Sequence, residues 1–512
     1  MVMTFIEKSL CPMYGVSTDD PIFIFTQFYI PDTSRYKEIK EALYKNVLNP
    51  HIYKIILINE RIYTVDELGI DSDKIHQIDH GSRLMYSDFF KLSQNYPGYH
   101  VLINSDIELD ESIQKIRESD IHEKKKMYWL LRYDNNALFG NGRADSADTW
   151  IFHYNFPLTQ QEQKVFKFHL GIPGCDNKVA YLCSILGYGI YNDPLTIRTV
   201  HHHASMERNY APTLPPPYML IIPYGIDTTP RNISMSTIET YTLSMKALAT
   251  YVQQDGPFII PRVSGIENIV ACTKTLSEPL RTAMKKNAGI HFSGQTSIYQ
   301  YSYLYLKAFE VCQLYASWEP WGKYIEHLGT TQSYIQHTYP KPTFLAYGFD
   351  IFHSIHEPWT HGLRGKRILI ISPFIDTIQK QPRKEIYGID LFPECTFVYI
   401  KPPQTQGSES SRDWHVEYTL FCMELYKIQD TFDVALCSCG GYANPVCYYL
   451  YTIGKSAIYV GGVLQMYFGI YGNRWMKERP EIMKLYMNSH WKRPSSDETP
   501  LGASTIENKC YW

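Results

Sequence analysis

The chain has 512 residues, and its 49 Lys and Arg nearly balance its 52 Asp and Glu. This length exceeds what one hydrophobic core supports, so two domains are expected. The balanced charge and the lack of a long basic run argue against nucleic acid as a partner.

The location of the protein is also constrained by the sequence. The eleven cysteines follow no repeated spacing, which favours a reducing compartment. The N-terminal residues show no basic segment followed by an apolar core and a cleavage site, and no window approaches the roughly 20 apolar residues of a spanning helix. We therefore expect a cytoplasmic protein with at most peripheral membrane contact.

Short apolar runs alternate with amphipathic stretches over the first 210 residues. This pattern predicts βαβ units, with a mostly parallel sheet and crossover helices. Strands are predicted at 23–25, 55–58, 75–78 and 101–103, and helices at 36–47 and 83–92. The strand at 101–103 runs directly into Asn104 and Asp106, at the end of the strand where α/β sheets bind their ligands. Oxygen ligands of this kind suit Mg²⁺ or Mn²⁺, which bridge the two phosphates of a bound nucleotide.

The run Leu-Pro-Pro-Pro at 214–217 interrupts the alternation, because proline continues neither a helix nor a central strand. We therefore expect a first α/β domain at 1–213 and a linker with the start of a helical region at 214–254. A second, Rossmann-like α/β domain with a helical insert is expected at 255–512. Its predicted strands are 367–371, 396–400, 434–437 and 457–460.

Further motifs follow Asn104-Ser105-Asp106 in chain order. They are Arg132-Tyr133-Asp134, Asp148-Thr149-Trp150-Ile151-Phe152, Gly171-Ile172-Pro173-Gly174-Cys175-Asp176-Asn177 and His201-His202-His203. Together they resemble a family of GT-A fold glycosyltransferases over about residues 20–212. Each motif alone is weak, but their common order makes the resemblance specific. It implies a nucleotide-sugar donor, a glycan acceptor and a Mn²⁺ or Mg²⁺ ion.

The resemblance also implies roles for individual residues. Asp106 is the leading metal ligand, and the further candidates are Asn104, Glu108, His201 and His203. Asp176 is the first candidate for the general base, and Asp148 is the second. Donor-binding candidates are Thr26, Arg83 and Asp88, and acceptor-binding candidates are Arg132 and Trp150. Two alternatives stay open, since Asp176 could cap the helix that it opens and Trp150 could be a core residue of a strand.

The second half carries its own motifs, at 261–268, 371–374 and 461–470. Over about residues 255–476 these resemble proteins with a GT-D-like architecture. The resemblance implies that Glu267 serves a donor site, although Gly265-Ile266-Glu267 replaces the usual Asp-x-Glu. The donor-binding candidates here are Ser372, Gly440, Gly441 and Gln465. Packing and capping would equally explain them, and the domain would then be a binding or scaffolding module.

The sequence therefore predicts a bifunctional glycosyltransferase that extends an oligosaccharide from nucleotide sugars. One alternative is a single active N-terminal transferase with a C-terminal binding domain, and another is a catalytically silent glycan-binding protein. The abundance of Tyr, with 42 copies, is typical of an AT-rich genome. The chain in this respect resembles glycan-building proteins of large DNA viruses and bacteria.

Overall fold

The computed structural model describes most of the chain, namely residues 20–31, 35–134, 136–202, 213–215, 218–221, 223, 237–318, 331–407, 412–500, 502–503, 506 and 510–512. The chain divides into two compact units, Met1–Ser236 and Thr237–Trp512. This division lies beyond the boundary expected at Leu214. The reason is that the Leu214 amide donates to the Pro173 carbonyl and the Met219 amide to the Asn177 carbonyl, so this segment packs on the first unit.

The first unit is an α/β structure. Its strands within the described residues are β1 (Ile22–Thr26), β2 (Ile52–Asn59), β3 (Ile75–Asp79), β4 (Tyr99–Ile103), β5 (Ile107–Leu109), β6 (Lys126–Leu130), β7 (Tyr133–Asp134), β8 (Ala137–Leu138), β9 (Thr149–His153), β10 (Gly189–Tyr191) and β11 (Thr199–His201). Its helices are α1 (Arg35–Leu48), α2 (Val65–Leu68), α3 (Tyr86–Ser93), α4 (Gln160–Gln163) and α5 (Cys175–Ile185). The predicted strands and helices of this half are confirmed, with ends shifted by a few residues.

In the described part of this unit, the main sheet orders seven strands as β10-β6-β9-β4-β1-β2-β3. Every residue of β1 and β4 is buried, as expected for parallel strands covered on both faces. The prediction of βαβ units throughout is wrong at β9, which runs antiparallel to β4 and β6. No α-helix lies between β6 and β9 in the described residues, and a parallel pair would need such a crossover.

The direction of β9 positions the site. Ile103, the last residue of β4, pairs with Thr149, the first residue of β9, so Asp148 lies beside Asn104. The described residues of this unit also form a smaller, four-stranded sheet in the order β5-β11-β7-β8. In it His201 pairs with Ile107, which brings the end of β11 to the residue that follows Asp106.

The second unit is also α/β. Its strands within the described residues are β12 (Ile259–Ile260), β13 (Tyr315–Ser317), β14 (Thr343–Leu345), β15 (Arg367–Ile371), β16 (Thr396–Ile400), β17 (Val434–Cys437) and β18 (Ser456–Tyr459). Its helices are α6 (Thr237–Tyr251), α7 (Ile266–Thr273), α8 (Glu278–Ala283), α9 (Gln295–Val311), α10 (Thr331–Thr338), α11 (Ile375–Ile378), α12 (Trp414–Lys427), α13 (Ala443–Thr452), α14 (Leu464–Tyr467), α15 (Asn473–Glu478) and α16 (Pro480–Tyr486).

Five of these strands form a fully parallel sheet in the order β12-β18-β17-β15-β16, counted over the described residues. Ile371 pairs with Cys437, and Cys437 pairs with Tyr459, so the strands end together at one edge. The strands predicted at 367–371, 396–400 and 434–437 are confirmed, and the fourth begins one residue earlier than predicted. The predicted α/β class is thereby confirmed for both units.

Two further observations concern the whole described chain. None of its helices has the length and apolar character that crossing a membrane requires. Nine of the ten cysteines among the described residues are buried.

Candidate functional site

Asp106 is the centre of a charged cluster in the first unit. It lies in the turn between β4 and β5, and only 3% of its surface is exposed. Its Oδ2 accepts a hydrogen bond from Arg35 Nη2 at 2.8 Å and lies 3.3 Å from His201 Nε2. Burial by itself would raise the pKa of Asp106, but the hydrogen bond and charge of His201, together with Arg35, lower it to about 2. Asp106 is therefore ionised at neutral pH.

His201 joins Asp106 to a second carboxylate. Its Nδ1 lies 3.1 Å from Asp134 Oδ1, so the imidazole stands between two acids. Burial lowers the pKa of His201, but the contact with Asp106 outweighs it and the pKa is raised overall. The sequence indicated His201 and Asp106 but not Arg35, which is separated from Asp106 by 71 positions. No local motif could have revealed that contact.

Glu108 contacts a different histidine from Asp106. Its Oε2 lies 2.7 Å from His202 Nε2, whereas Asp106 contacts His201. Asp106 precedes β5 and lies in a turn, while Glu108 lies within that strand. His203 lies outside the described residues.

The described residues bring together only part of the predicted metal site, so this site stays a prediction. The described residues contain no group of three or more His, Cys, Asp or Glu placed to hold a metal ion. Asp106 and His201 are donors that Mn²⁺ accepts, but the guanidinium of Arg35 holds the same Asp106 oxygen. Arg35 thus already supplies the positive charge that a cation would bring to this oxygen.

Asn104, Asp148 and Arg132 form a buried polar network beside this cluster. Asn104 Nδ2 donates to Asp148 Oδ1 at 2.6 Å, and Arg132 Nη1 donates to Asp148 Oδ2 at 2.5 Å. Arg132 Nε also donates to Asp134 Oδ1 at 3.0 Å. Asp148 is therefore engaged in an ion pair with a buried arginine, whereas Asp176 accepts from backbone amides, so Asp176 remains the leading candidate for the general base. Arg132 is only 5% exposed, and its assignment as an acceptor-binding residue stays a prediction.

Asp176 lies in the first turn of α5. Its Oδ2 accepts from the Ala147 amide at 3.1 Å, and its Oδ1 accepts from the Asn177 amide at 3.0 Å. Burial raises the pKa of Asp176 to about 7, and the charge of Asp148 adds to the increase. Part of the side chain still reaches solvent. The residue therefore fastens the start of the helix and also has the pKa of a base that acts near neutral pH.

The turn before α5 requires glycine at position 174. Gly174 has φ of +81°, and a Cβ there would lie 3.0 Å from the hydroxyl of Tyr218. At the other end of the turn, a Cβ on Gly171 would lie 3.6 Å from Arg83 Nη2 and 3.8 Å from Asn104 Oδ1. Arg83 also donates to the Leu170 carbonyl at 2.7 Å. Its guanidinium and the side-chain oxygen of Asn104 therefore both lie next to Gly171.

Two further donor-binding candidates of this unit, Asp88 and Thr26, differ in whether their side chains have hydrogen-bond partners. Asp88 fastens the start of α3, because its Oδ2 accepts from the Met85 amide at 3.0 Å and lies 3.1 Å from His80 Nε2. This corrects its assignment to the donor. Thr26, at the end of β1, is buried, and its hydroxyl has no hydrogen-bond partner in the described structure.

Trp150 is a core residue. It is fully buried and packs edge-to-face on Tyr86, with ring centroids 5.3 Å apart. The indole therefore offers no ring face to a sugar, and the acceptor-stacking expectation is corrected in favour of the core alternative.

The second unit contains a cavity of about 610 Å³ at the carboxyl edge of its parallel sheet. The segments that follow all five strands contribute to its wall. Charged residues of the wall include Arg262, Glu267, Asp350, Arg474, Glu478 and Arg479. Ligands of α/β sheets bind at this edge, and the volume lies within the range of small-molecule sites.

Some of the donor-binding candidates of the second unit line this cavity, and others do not. Glu267, Gly440 and Gln465 line the cavity, with Glu267 in the first turn of α7. Ser372 is fully buried, and its hydroxyl accepts from the Phe374 amide at 3.2 Å, so it fastens the turn after β15 instead. The site residues predicted from the sequence did not include Asp350, Arg474 or Arg479, which lie in irregular or helical segments.

Gly441 serves packing, which corrects its assignment to the donor. A Cβ at this position would lie 2.4 Å from Ile290 Cγ1, inside the core. We expect Gly441→Ala to lower the free energy of unfolding of the second unit by about 1–3 kcal/mol, the usual cost of overpacking. Urea denaturation measures this cost. Gly265→Ala is the control, since a Cβ there would meet nothing within 4 Å. Equal stability of the two variants would contradict the packing role.

No family model and no curated protein sequence matches the chain. Among solved structures it is similar to a selenomethionine-substituted structure of domain of unknown function 1792, with 14% identity, a TM-score of 0.29, and coverage of 51% of this chain and 95% of that chain. It is also similar to the mannosyltransferase PcManGT from Pyrobaculum calidifontis in complex with GDP-Man and Mn²⁺, with 6% identity, a TM-score of 0.23, and coverage of 46% and 62%. A third is TarS 1-349 from S. aureus in complex with UDP-GlcNAc, with 10% identity, a TM-score of 0.22, and coverage of 67% and 92%. At these TM-scores the similarity carries no information on activity.

Proposed function

We propose that the chain is a bifunctional glycosyltransferase, with one nucleotide-sugar-dependent site in each α/β unit. The observation that carries the proposal is Asp176, a carboxyl group with a pKa near 7 beside the polar network of Asn104 and Asp148. A glycosyl transfer by direct displacement needs a base for the acceptor hydroxyl, and the best base has a pKa near the working pH.

The chemistry of the first unit follows from these residues. Asp176 takes the proton of the acceptor hydroxyl as that oxygen attacks the anomeric carbon of the donor. Arg83, brought to Asn104 at the turn before α5, supplies positive charge for the departing diphosphate. The ion pair between Arg132 and Asp148 stabilises this arrangement. No step is assigned to a metal ion, and dependence on Mn²⁺ or Mg²⁺ stays a prediction of the sequence.

The second unit is proposed to use its cavity as a separate donor site. Glu267, Gly440 and Gln465 line it, as the sequence motifs predict. Two transferases on one chain would keep the intermediate glycan at a high effective concentration for the second reaction. The products would be oligosaccharides built in the cytoplasm, which is the location that the sequence predicts.

A panel of nucleotide sugars tests the proposal on the full chain, with nucleotide release and glycan products followed by NMR. We expect two donors to be consumed, and we expect Asp176→Asn and Glu267→Gln each to lower the turnover of one donor by about 10²-fold or more while sparing the other. Glu310→Gln, on an exposed ion pair with Lys307, is the control for the second unit.

Other outcomes separate the alternatives. Turnover that Glu267→Gln leaves intact would make the second unit a binding domain. Absence of both turnover and donor binding, with and without Mn²⁺, would sink the enzymatic proposal and leave a glycan-binding protein.

A further inference from the structure

Arg262 differs from the other arginines of the cavity in the second unit. Arg474 Nε lies 3.2 Å from Glu478 Oε2, and Arg479 Nη2 lies 2.8 Å from Asp350 Oδ2. Arg262 Nη1 donates to the Val460 carbonyl at 2.9 Å, and the side chain also hydrogen-bonds to Tyr459. Over the described residues, no carboxylate lies within ion-pair distance of its guanidinium. Arg262 therefore lacks the close carboxylate that Arg474 and Arg479 each have.

The surroundings hold this guanidinium at the cavity wall. It stacks over the ring of Tyr459, 4.3 Å from the centroid. Gly461 has φ of +79°, and a Cβ there would lie 2.4 Å from Arg262 Nη2, so only glycine leaves room for the group. The Nε of Arg262 is buried without a hydrogen-bond partner in the described structure. A half-buried cation with unused donors is a site that an anion would satisfy.

Two other features of the cavity suit the remainder of a nucleotide. Gln465 is 1% exposed, and its Oε1 has no hydrogen-bond partner among the described residues, although it lines the cavity. A ribose hydroxyl or a base N–H would satisfy that oxygen. Trp318 and Tyr347 also line the cavity, with ring centroids 5.3 Å apart, and aromatic faces of this kind stack on nucleobases.

We propose that this cavity binds a nucleoside diphosphate without a divalent cation, and that Arg262 supplies the charge that receives the phosphates. The inference rests on the proposed donor site of the second unit. It adds the residue whose positive charge pairs with the phosphates of the donor. It is consistent with the sequence, which has Gly265 where related motifs carry the first acidic residue. The other two carboxylates of the wall, Glu478 and Asp350, are paired with Arg474 and Arg479, and Glu267 by itself would make a poor cage for a metal ion.

Calorimetric titration of the full chain tests this proposal with UDP, GDP, ADP and CDP, each in EDTA and in Mn²⁺. We expect at least one diphosphate to bind in EDTA, and R262Q to weaken that binding by about tenfold or more, the effect of losing a charged bidentate contact. R262K, which keeps the charge, should retain part of the affinity. Arg364→Gln is the matched control, because Arg364 is exposed, pairs with Glu394 and lies outside the cavity wall.

The outcomes are separable from those of the proposed function. Binding that needs Mn²⁺, binding that R262Q leaves unchanged with a normal unfolding transition, or no binding of any diphosphate would each overturn the inference. If diphosphate binds through Arg262 but no nucleotide sugar is turned over, the proposed enzyme function fails while this inference stands.

Discussion

Asp176→Asn is expected to lower kcat of the transferase activity in the first unit by about 10²–10⁴-fold, the usual contribution of a general base. Asparagine keeps an oxygen that can accept from the Ala147 or Asn177 amide, so the start of α5 should persist. Donor affinity should change little, because the base acts on the acceptor. Steady-state kinetics with equilibrium donor binding measure both quantities.

The same residue sets a pH dependence. The folded-state pKa of Asp176 is raised to about 7, so the carboxyl is largely protonated below this pH and cannot take a proton. Activity of the wild type should therefore rise with pH through about 7 and level off above it. Asp145→Asn is the control, since Asp145 is exposed and paired with Arg143. An unchanged pH profile in Asp176→Asn would assign Asp176 to helix capping alone.

Arg132→Leu is expected to lower the free energy of unfolding of the first unit by about 3–5 kcal/mol, the cost of leaving a buried charge unpaired. Arg132 is buried and binds Asp148 and Asp134 together, so its removal leaves the buried Asp148 without its cation, while Asp134 keeps its contact with His201. Its guanidinium also stacks on Phe139, 3.9 Å from the ring centroid. Urea denaturation followed by circular dichroism measures the loss.

Arg143→Leu is the matched control for this loss. Arg143 forms a comparable ion pair with Asp145 at 2.6 Å, but both side chains are more than 40% exposed, and exposed pairs contribute at most about 1 kcal/mol. A loss in Arg132→Leu no larger than in this control would show that the buried network contributes nothing to stability.

Much of the fold could be predicted from the sequence because its elements are locally encoded. The runs 367–371, 396–400 and 434–437 are short, apolar and bounded by polar or breaking residues, and they form strands with those limits. The position of a polar residue at a strand end is equally local. Asn104, Asp106 and Gly440 therefore lie at the carboxyl edges of their sheets, as predicted.

Only the tertiary structure decided which distant groups meet. The contact of Arg35 with Asp106 joins residues 71 positions apart, and the ion pair of Arg479 with Asp350 joins residues 129 positions apart. Periodicity does not encode such pairings, because they depend on strand order and direction across the whole unit. The antiparallel direction of β9 is an example, since it alone brings Asp148 to Asn104, and Arg132 pairs with the same carboxylate.

Tertiary packing also explains why two residues that the sequence assigned to ligand binding are buried in the core. Trp150 and Gly441 belong to motifs that the sequence associates with a ligand, but the packing of the units encloses both of them in the core. The sequence alone determined the elements and the residue types at the strand ends. Tertiary structure decided the enclosure of these side chains in the core. It also decided the raised pKa of Asp176, because distant segments exclude water from its carboxyl group.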